Sequence, residues 1–173
     1  ITLTNGYRLQ AAYDEAAGTL MRAAALSPEQ PLVLNYLGYS WIDQGQNLKQ
    51  GLALIKKAVS LKPDDGYIVD SLGWAYFRLG RFQDAVGQLE RAVELRPDDP
   101  VLNDHLGDAL WRVGREREAR YQWEQALSLK PEPEDEQKIR KKLLSGLAIK
   151  AEAKAQPRKS RSASSEQRRR KTG

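Results

Sequence analysis

The sequence is poor in the residues that support redox and metal chemistry. It contains no cysteine and a single histidine among its 173 residues. Without cysteine the chain forms no disulfide, no thiolate nucleophile and no thiolate-based zinc site. It also lacks any apolar run approaching the roughly 20 residues of a membrane-spanning helix. No stretch alternates apolar and polar residues for long, so we expect no β-sheet.

Signals of catalysis are equally sparse. We expect a structural or solvated role for the one histidine, His105, rather than a catalytic one. The carboxylate pairs Asp64–Asp65 and Asp98–Asp99 stand where helices begin, which favours helix capping over metal binding. No glycine-rich phosphate loop, zinc-ligand spacing or nucleophile elbow occurs. We therefore predict no enzyme, no catalytic or metal-binding residue, no cofactor and no small-molecule substrate.

Net positive charge is confined to the C-terminal end of the chain. The chain carries a net charge of +5, yet residues 148–173 hold nine Lys or Arg against two Asp or Glu. From Arg158 onward there is no Leu, Val, Ile or aromatic residue, so this segment cannot bury a core. We predict a disordered basic tail over residues 156–173. The tail is either simply solvated or attracts nucleic acid or an anionic membrane, which is the alternative function.

The remainder of the sequence is repetitive, with a period of 34 residues. Residues 66–99 and 100–133 share a pattern, and residues 31–65 repeat it with one extra residue near Gln46–Asn47. Residues 1–30 fit a partial copy that lacks its first four positions. The matched pairs are Leu72 and Leu106, Gly73 and Gly107, Gly80 and Gly114, Ala92 and Ala126, and Pro97 and Pro131. Such a self-repeat predicts a stack of supersecondary units.

Each repeat contains two amphipathic helical patterns. Helices are predicted at 1–9, 14–26, 31–44, 48–61, 66–79, 82–95, 100–113 and 116–129. A further pattern, with Ile139, Leu143 and Leu147 every four residues, predicts a capping helix over residues 134–155. The domain organisation is therefore a partial repeat at 1–30, repeats at 31–65, 66–99 and 100–133, the capping helix and the tail.

This pattern resembles the tetratricopeptide repeat family. Residues 66–99 carry its diagnostic positions, namely Leu72, Gly73, Tyr76, Gly80, Ala85, Leu89, Ala92 and Pro97. Departures occur at Thr4, Ala11 and Gly51, where we expect looser packing. The resemblance implies an all-α, right-handed superhelical solenoid of antiparallel helix pairs with a C-terminal capping helix. It also implies a non-enzymatic scaffold or adaptor that binds a protein partner, a peptide or a helical segment.

In this family the first helices of successive repeats line a concave groove. The resemblance maps that groove onto polar and aromatic side chains of three repeats. They are Asn35, Tyr39, Asp70, Trp74, Phe77, Arg78, Asp104, Asp108, Trp111 and Arg112. Aromatic and Arg residues dominate binding hot spots, which favours ligand contact for the large rings. The alternative is that the rings pack between neighbouring first helices.

The charges of this groove argue against one class of ligand. Chaperone-binding members of the family grip an acidic C-terminus with Lys, Asn and Arg. Here three of the corresponding positions hold Asp70, Asp104 and Asp108, which would repel an acidic peptide. We expect instead an apolar peptide that also presents a basic residue.

A narrower resemblance concerns three sequence segments, NYLGYSWIDQG, DDGYIVDSLGWAYFRLG and NDHLGDALWRVGR. They are similar to the C-terminal repeats of bacterial adaptor lipoproteins of the cell envelope, some of which serve processing proteases. That similarity implies a periplasmic location, with the cytoplasm as the alternative. Because Ile1 falls inside a helical pattern, we expect a longer protein, whose upstream part would hold any lipid anchor, further repeat or enzymatic domain.

Overall fold

The computed structural model describes residues 15–16 and 18–147, and within them it consists of eight helices without a strand. The first helix, α1, comprises the helical residues 15–16 and 18–26. The others are α2 (Pro31–Asp43), α3 (Leu48–Leu61), α4 (Gly66–Arg78), α5 (Phe82–Leu95), α6 (Pro100–Arg112), α7 (Glu116–Ser128) and α8 (Pro133–Ser145). No helix in this part of the chain is long and apolar enough to span a bilayer.

The helix ends follow local sequence signals. Asp65 and Asp99 cap α4 and α6, because each carboxylate accepts the backbone N–H groups two and three residues further on. The capping interpretation of these aspartates is thereby confirmed. Gly80 and Gly114 follow the first helices with φ of 75° and 82°, a left-handed conformation that glycine adopts without strain.

The helices stack as pairs along the chain. Helix α2 packs on α3, α4 on α5 and α6 on α7, and successive pairs contact each other through α2 with α4 and α4 with α6. Each of the second helices α3 and α5 also contacts the first helix of the next pair. Every unit therefore buries its apolar stripe against its neighbours, and the predicted solenoid of helix pairs is confirmed.

Small residues stand where the helices cross. A Cβ at Gly73 would lie 2.5 Å from Leu89 Cγ. Helices α4 and α5 can therefore pack this closely because Gly73 has no side chain. Ala85 and Ala92 on α5 are both fully buried. Larger side chains fill the space beside them: Leu89 is fully buried in one cluster with Ala85, and Val69 is fully buried in another with Ala92.

We expect Ala92→Leu to lower the free energy of unfolding by about 1–3 kcal/mol, because overpacking forces neighbouring side chains out of their preferred rotamers. Ala92 has no exposed surface and packs with Val69 and Leu102. Urea titration followed by circular dichroism measures the change. Gly87→Leu on the same helix is the control, since no atom lies within 4 Å of a Cβ built there. Equal midpoints for the two variants would contradict the packing role of Ala92.

The last helix is shorter than predicted. Helix α8 ends at Ser145, because Gly146 has φ 73° and ψ 177° and turns the chain out of helical geometry. A helix running unbroken to residue 155 is therefore wrong at this glycine. The predicted first helix at 1–9, the rest of the capping segment at 148–155 and the basic tail at 156–173 lie outside the described residues.

Candidate partner-binding face

All ten predicted groove residues lie on α2, α4 and α6, the first helices of the three described repeats. We call the surface that these helices share the first-helix face. Asn35, Asp70 and Asp108 are buried, Arg78 is exposed, and the other six, Tyr39, Trp74, Phe77, Asp104, Trp111 and Arg112, are half-buried. The face therefore contains both side chains that hold the repeats together and side chains that reach its surface.

A three-ring stack stands at the middle of the face. The Trp74 ring lies between Phe77, at a centroid distance of 4.8 Å, and His105, at 4.1 Å, with interplanar angles of 9° and 17°. The stack thus joins α4 to α6, as the packing interpretation expects, while the Trp74 side chain as a whole is half-buried. Sequence reasoning left His105 out of the face, although it immediately follows Asp104 on the same helix.

His105 also bonds to a buried carboxylate. Its Nδ1 lies 2.9 Å from Asp70 Oδ1, and both side chains are largely shielded from solvent. Burial disfavours the imidazolium, but Asp70, with smaller contributions from Asp104 and Asp108, outweighs burial and raises the pKa of His105. Asp70 of one repeat is therefore bonded to His105 of the next.

The preceding repeat junction has an equivalent bond. Asn35 Nδ2 donates to Ser71 Oγ at 3.1 Å, and the Ser71 hydroxyl donates to the Tyr67 carbonyl at 3.0 Å. Asn35 is the residue of α2 that corresponds to Asp70 of α4, and Ser71 corresponds to His105. Buried polar groups at these matched positions therefore fix the first helices to one another.

The other two aspartates share one lysine. Lys142 Nζ of α8 lies 2.8 Å from Asp104 Oδ1 and 2.7 Å from Asp108 Oδ1. Asp108 Oδ1 also accepts the Trp123 Nε1 hydrogen at 3.0 Å. Burial, helped by the charge of Asp104 and opposed by Lys142, raises the pKa of Asp108 to about 6. Sequence reasoning missed Lys142, yet it follows Asp108 at the 34-residue period.

The remaining polar side chains of the face also contact the chain itself. Arg78 pairs with Asp43 at 2.6 Å, and the Arg112 guanidinium lies 4.0 Å from the centre of the Phe82 ring. Burial, with the charges of Asp43 and Asp70, raises the pKa of Tyr39 to about 12, so this phenol stays protonated.

Trp111 is a half-buried ring at the C-terminal end of the face. It lies 5.4 Å from the Trp123 ring, and a Cβ at Gly146 would collide with it. The structure therefore places Trp111 against α7 and the turn after α8.

An exposed apolar row runs beside these residues. Leu32, Tyr67 and Val101 occupy the same position at the start of α2, α4 and α6, with 47%, 46% and 44% of their surface exposed. Because the three helices stack in order, the row follows the repeat axis. Aligned apolar side chains on successive repeats are suited to a segment that lies across several repeats.

Comparison with known proteins points to one family of repeats. Residues 71–132 match the family model described as "Tetratricopeptide repeat". A stretch of 61 residues is 41% identical to the TPR repeat-containing protein PA4667 of Pseudomonas aeruginosa. That stretch spans 35% of this chain and 10% of the Pseudomonas protein.

Solved structures show the same architecture. A crystal structure of MamA superposes with a TM-score of 0.61 at 25% identity, over 72% of this chain and 72% of that one. The first repeat domain of Spaghetti (RPAP3), bound to the HSP90 peptide SRMEEVD, superposes with a TM-score of 0.56 at 25% identity. The latter match covers 67% of this chain and 94% of the RPAP3 chain.

Proposed function

We propose that this chain is a non-enzymatic scaffold that binds a peptide or helical segment of another protein on its first-helix face. Its helices from Pro31 to Ser128 form a solenoid of helix pairs, and residues 71–132 match the tetratricopeptide repeat. The observation that carries the proposal is the apolar row of Leu32, Tyr67 and Val101. Tyr67 of this row stands seven residues before the half-buried Trp74 on α4, so the two rings lie on one side of the helix about two turns apart. Apolar anchors of a partner would meet both rings along this side. Truncation of such anchors dominates measured binding losses at protein interfaces.

The charges of the face support a partner that is not acidic. The RPAP3 domain is bound to a peptide ending in Glu-Glu-Val-Asp. In this chain the corresponding region carries Asp70, Asp104 and Asp108, two of them satisfied by a single lysine. An acidic chain end would have to compete with these carboxylates for His105 and Lys142, which opposes binding. An apolar segment with a lysine or arginine fits the face better.

A finer proposal concerns the setting in which the scaffold acts. The likeness of its repeats to a bacterial protein of the same repeat family is compatible with a bacterial adaptor. We propose that it works at the cell envelope and presents a processing protease to its substrate. Fractionation of the native cell, followed by affinity purification of the protein, tests this point. Recovery from the cytoplasmic fraction without a protease would contradict it.

The binding proposal predicts that Tyr67→Ala combined with Trp74→Ala weakens a selected peptide at least thirtyfold, equivalent to about 2 kcal/mol. The peptide comes from a displayed random library selected on the wild-type chain, and we expect it to combine apolar residues with Lys or Arg. Fluorescence anisotropy measures affinity, and circular dichroism checks that the variant keeps its helices.

The control is Tyr121→Ala, which removes another exposed aromatic ring, 57% exposed against 46% for Tyr67, from the second helix α7. Its affinity should equal that of the wild-type chain. If the doubly substituted, folded chain bound the peptide as tightly as the control, the first-helix face would not be the binding site. Selection of acidic peptides would contradict the electrostatic part of the proposal.

A further inference from the structure

Helix α8 is seated on the end of the first-helix face and contacts it through one stripe of side chains. Ile139 is 1% exposed, and Lys142, three residues further, reaches Asp104 and Asp108. Gly146, seven residues after Ile139, meets Trp111 with no room for a Cβ. The three contacts recur at helical spacing, so they form one binding surface of the helix.

The attachment of α8 is slight compared with that of the preceding helices. Ile139 is the one buried residue within α8, whereas α6 buries seven of its thirteen residues. The opposite side of α8 is solvated, with Leu144 88% exposed. A non-helical break in the chain, with Lys130 at φ 57° followed by Pro131 and the initial Pro133, lies between α7 and α8, although the two helices pack against each other. Leu143 and the following Leu147 pack partly buried against the same core. One fully buried anchor, these two partly buried leucines and one charge cluster therefore hold α8 on the solenoid.

From this geometry we propose that Asp104, Asp108 and Trp111 form a receptor for an amphipathic helix, and that α8 is its resident ligand. The matching ligand presents an apolar residue, a lysine three places later and a glycine seven places later. In the free protein α8 fills the receptor, and the partner helix replaces it in the complex. This inference rests on the proposed function and names the class of partner that the C-terminal end of the face accepts.

The carboxylates of Asp104 and Asp108 need a basic side chain beside them, whether α8 or a partner helix supplies it. Asp108 is 5% exposed, and the bond from Trp123 fixes its carboxylate toward Lys142. Withdrawal of one partner from a buried ion pair leaves an uncompensated charge, which is strongly unfavourable. Departure of α8 is therefore coupled to the arrival of another basic side chain. A helix without a lysine at that place would not compete.

The backbone of α8 contributes a second point of recognition. Arg120 Nη1 of α7 donates to the Leu143 carbonyl at 2.6 Å, near the end of the helix, and its guanidinium lies 5.4 Å from the Trp111 ring. Carbonyls in the last turn of a helix have no partner within the helix, so any helix that ends here can accept this bond. Arg120 thus recognises a helix C-terminus rather than a particular side chain.

The test uses a fluorescein-labelled peptide of residues 133–147 as the probe and the full chain as the receptor. In the chain, Ile139→Asp with Lys142→Ala removes the one fully buried apolar side chain of α8 and its ion pairs, and should release the helix. We expect this chain to bind the peptide at least tenfold more tightly than the wild-type chain, in which the receptor is occupied. A peptide carrying Lys142→Ala should lose at least tenfold in affinity for the released chain.

The control chain carries Gln137→Asp with Lys141→Ala, which makes the same change of charge on the exposed side of α8. It should bind the probe as weakly as the wild type. Hydrogen exchange is measured on each chain, with fast exchange of 133–145 and retained protection of α2–α7 expected for the released chain alone. If the released chain meets that pattern and fails to bind the peptide, the proposal is overturned.

Two other outcomes would also overturn it. Continued protection of 133–145 would show that Ile139 and Lys142 are not the anchors. Loss of protection throughout α2–α7, repeated with the milder Lys142→Met, would show that α8 is an inseparable part of the solenoid. The α8 peptide could fail to bind the released chain while a library peptide still needs Tyr67 and Trp74 for its binding. That result would overturn this inference and leave the proposed function intact.

Discussion

Trp123→Ala is expected to lower the free energy of unfolding by about 3–5 kcal/mol. Trp123 is the largest fully buried side chain of the described residues, and its ring fills the space left open by Gly107. Truncation would create a cavity between α6 and α7, and cavities of this kind collapse only in part. It would also remove the N–H that Asp108 accepts, so a buried carboxylate would lose a donor.

A second substitution separates the two contributions. Trp123→Phe keeps much of the apolar volume but lacks the indole N–H, so its smaller loss measures the bond to Asp108 together with the residual void. Urea unfolding monitored by circular dichroism gives both values. Tyr121→Ala, on the same helix but 57% exposed, should change stability by less than about 0.5 kcal/mol. A loss below about 1 kcal/mol for Trp123→Ala would contradict the assigned packing.

The second large effect is a fall in stability as the pH rises from 4 to 8. Burial raises the pKa of Asp108 to about 6, so the folded chain holds this proton more tightly than the unfolded chain. Stability contributed by protonated Asp108 is present at low pH and is lost as the pH rises toward 6. Each pKa unit corresponds to about 1.4 kcal/mol, which gives on the order of 3 kcal/mol for this group.

His105 acts in the same direction at higher pH. Despite burial, the neighbouring Asp70 raises its pKa, so its stabilising contribution is complete below the unfolded value near 6.5 and disappears as the pH passes the folded value. Urea unfolding at intervals between pH 4 and 8 measures the combined slope.

Two variants show which residue causes each part of this pH dependence. Asp108→Asn should flatten the lower part of the profile, and His105→Gln should flatten the upper part. A wild-type profile that rises from pH 4 to 8, or one that neither variant alters, would contradict the assignment.

The solenoid was predictable because its determinants are local and repeated. Leu72, Gly73, Ala92 and Pro97 recur at one period, and each has a physical reason to occupy its position at a helix crossing or a helix end. The observed helices α2 to α7 begin and end within one residue of the predicted bounds. Asp65 and Asp99 were interpretable as caps because a cap needs only the backbone that follows it.

The ion pairs and hydrogen bonds of the face were harder to predict from the sequence. The resemblance identified Asp104 and Asp108 as members of a groove, but it assigned their charge to a partner. Their actual counter-ion, Lys142, lies in a helix whose pattern predicted only an apolar cap. Applying the same 34-residue period to α8 would have placed Lys142 beside Asp108, so the signal was present in the sequence.

The contacts of His105 were not predicted for a different reason. Whether a lone histidine on a helix faces water or a neighbour depends on the angle between adjacent repeats, which the sequence does not encode as a motif. Stacking on Trp74 and bonding to Asp70 both arise from the next helix along the solenoid. Contacts between repeats are therefore harder to predict than contacts within one.

The stacking of neighbours also determines how the chain reaches its fold. Among the described residues, the longest separation between two hydrogen-bonded side chains is the 38 residues from Asp104 to Lys142. Each step of assembly therefore closes a loop no longer than about one repeat, and the entropy of closing loops grows slowly with their length. Chains dominated by such local contacts fold in microseconds to milliseconds. A nascent copy can thus order each repeat as it emerges from the ribosome, before the residues that will cap it have been synthesised.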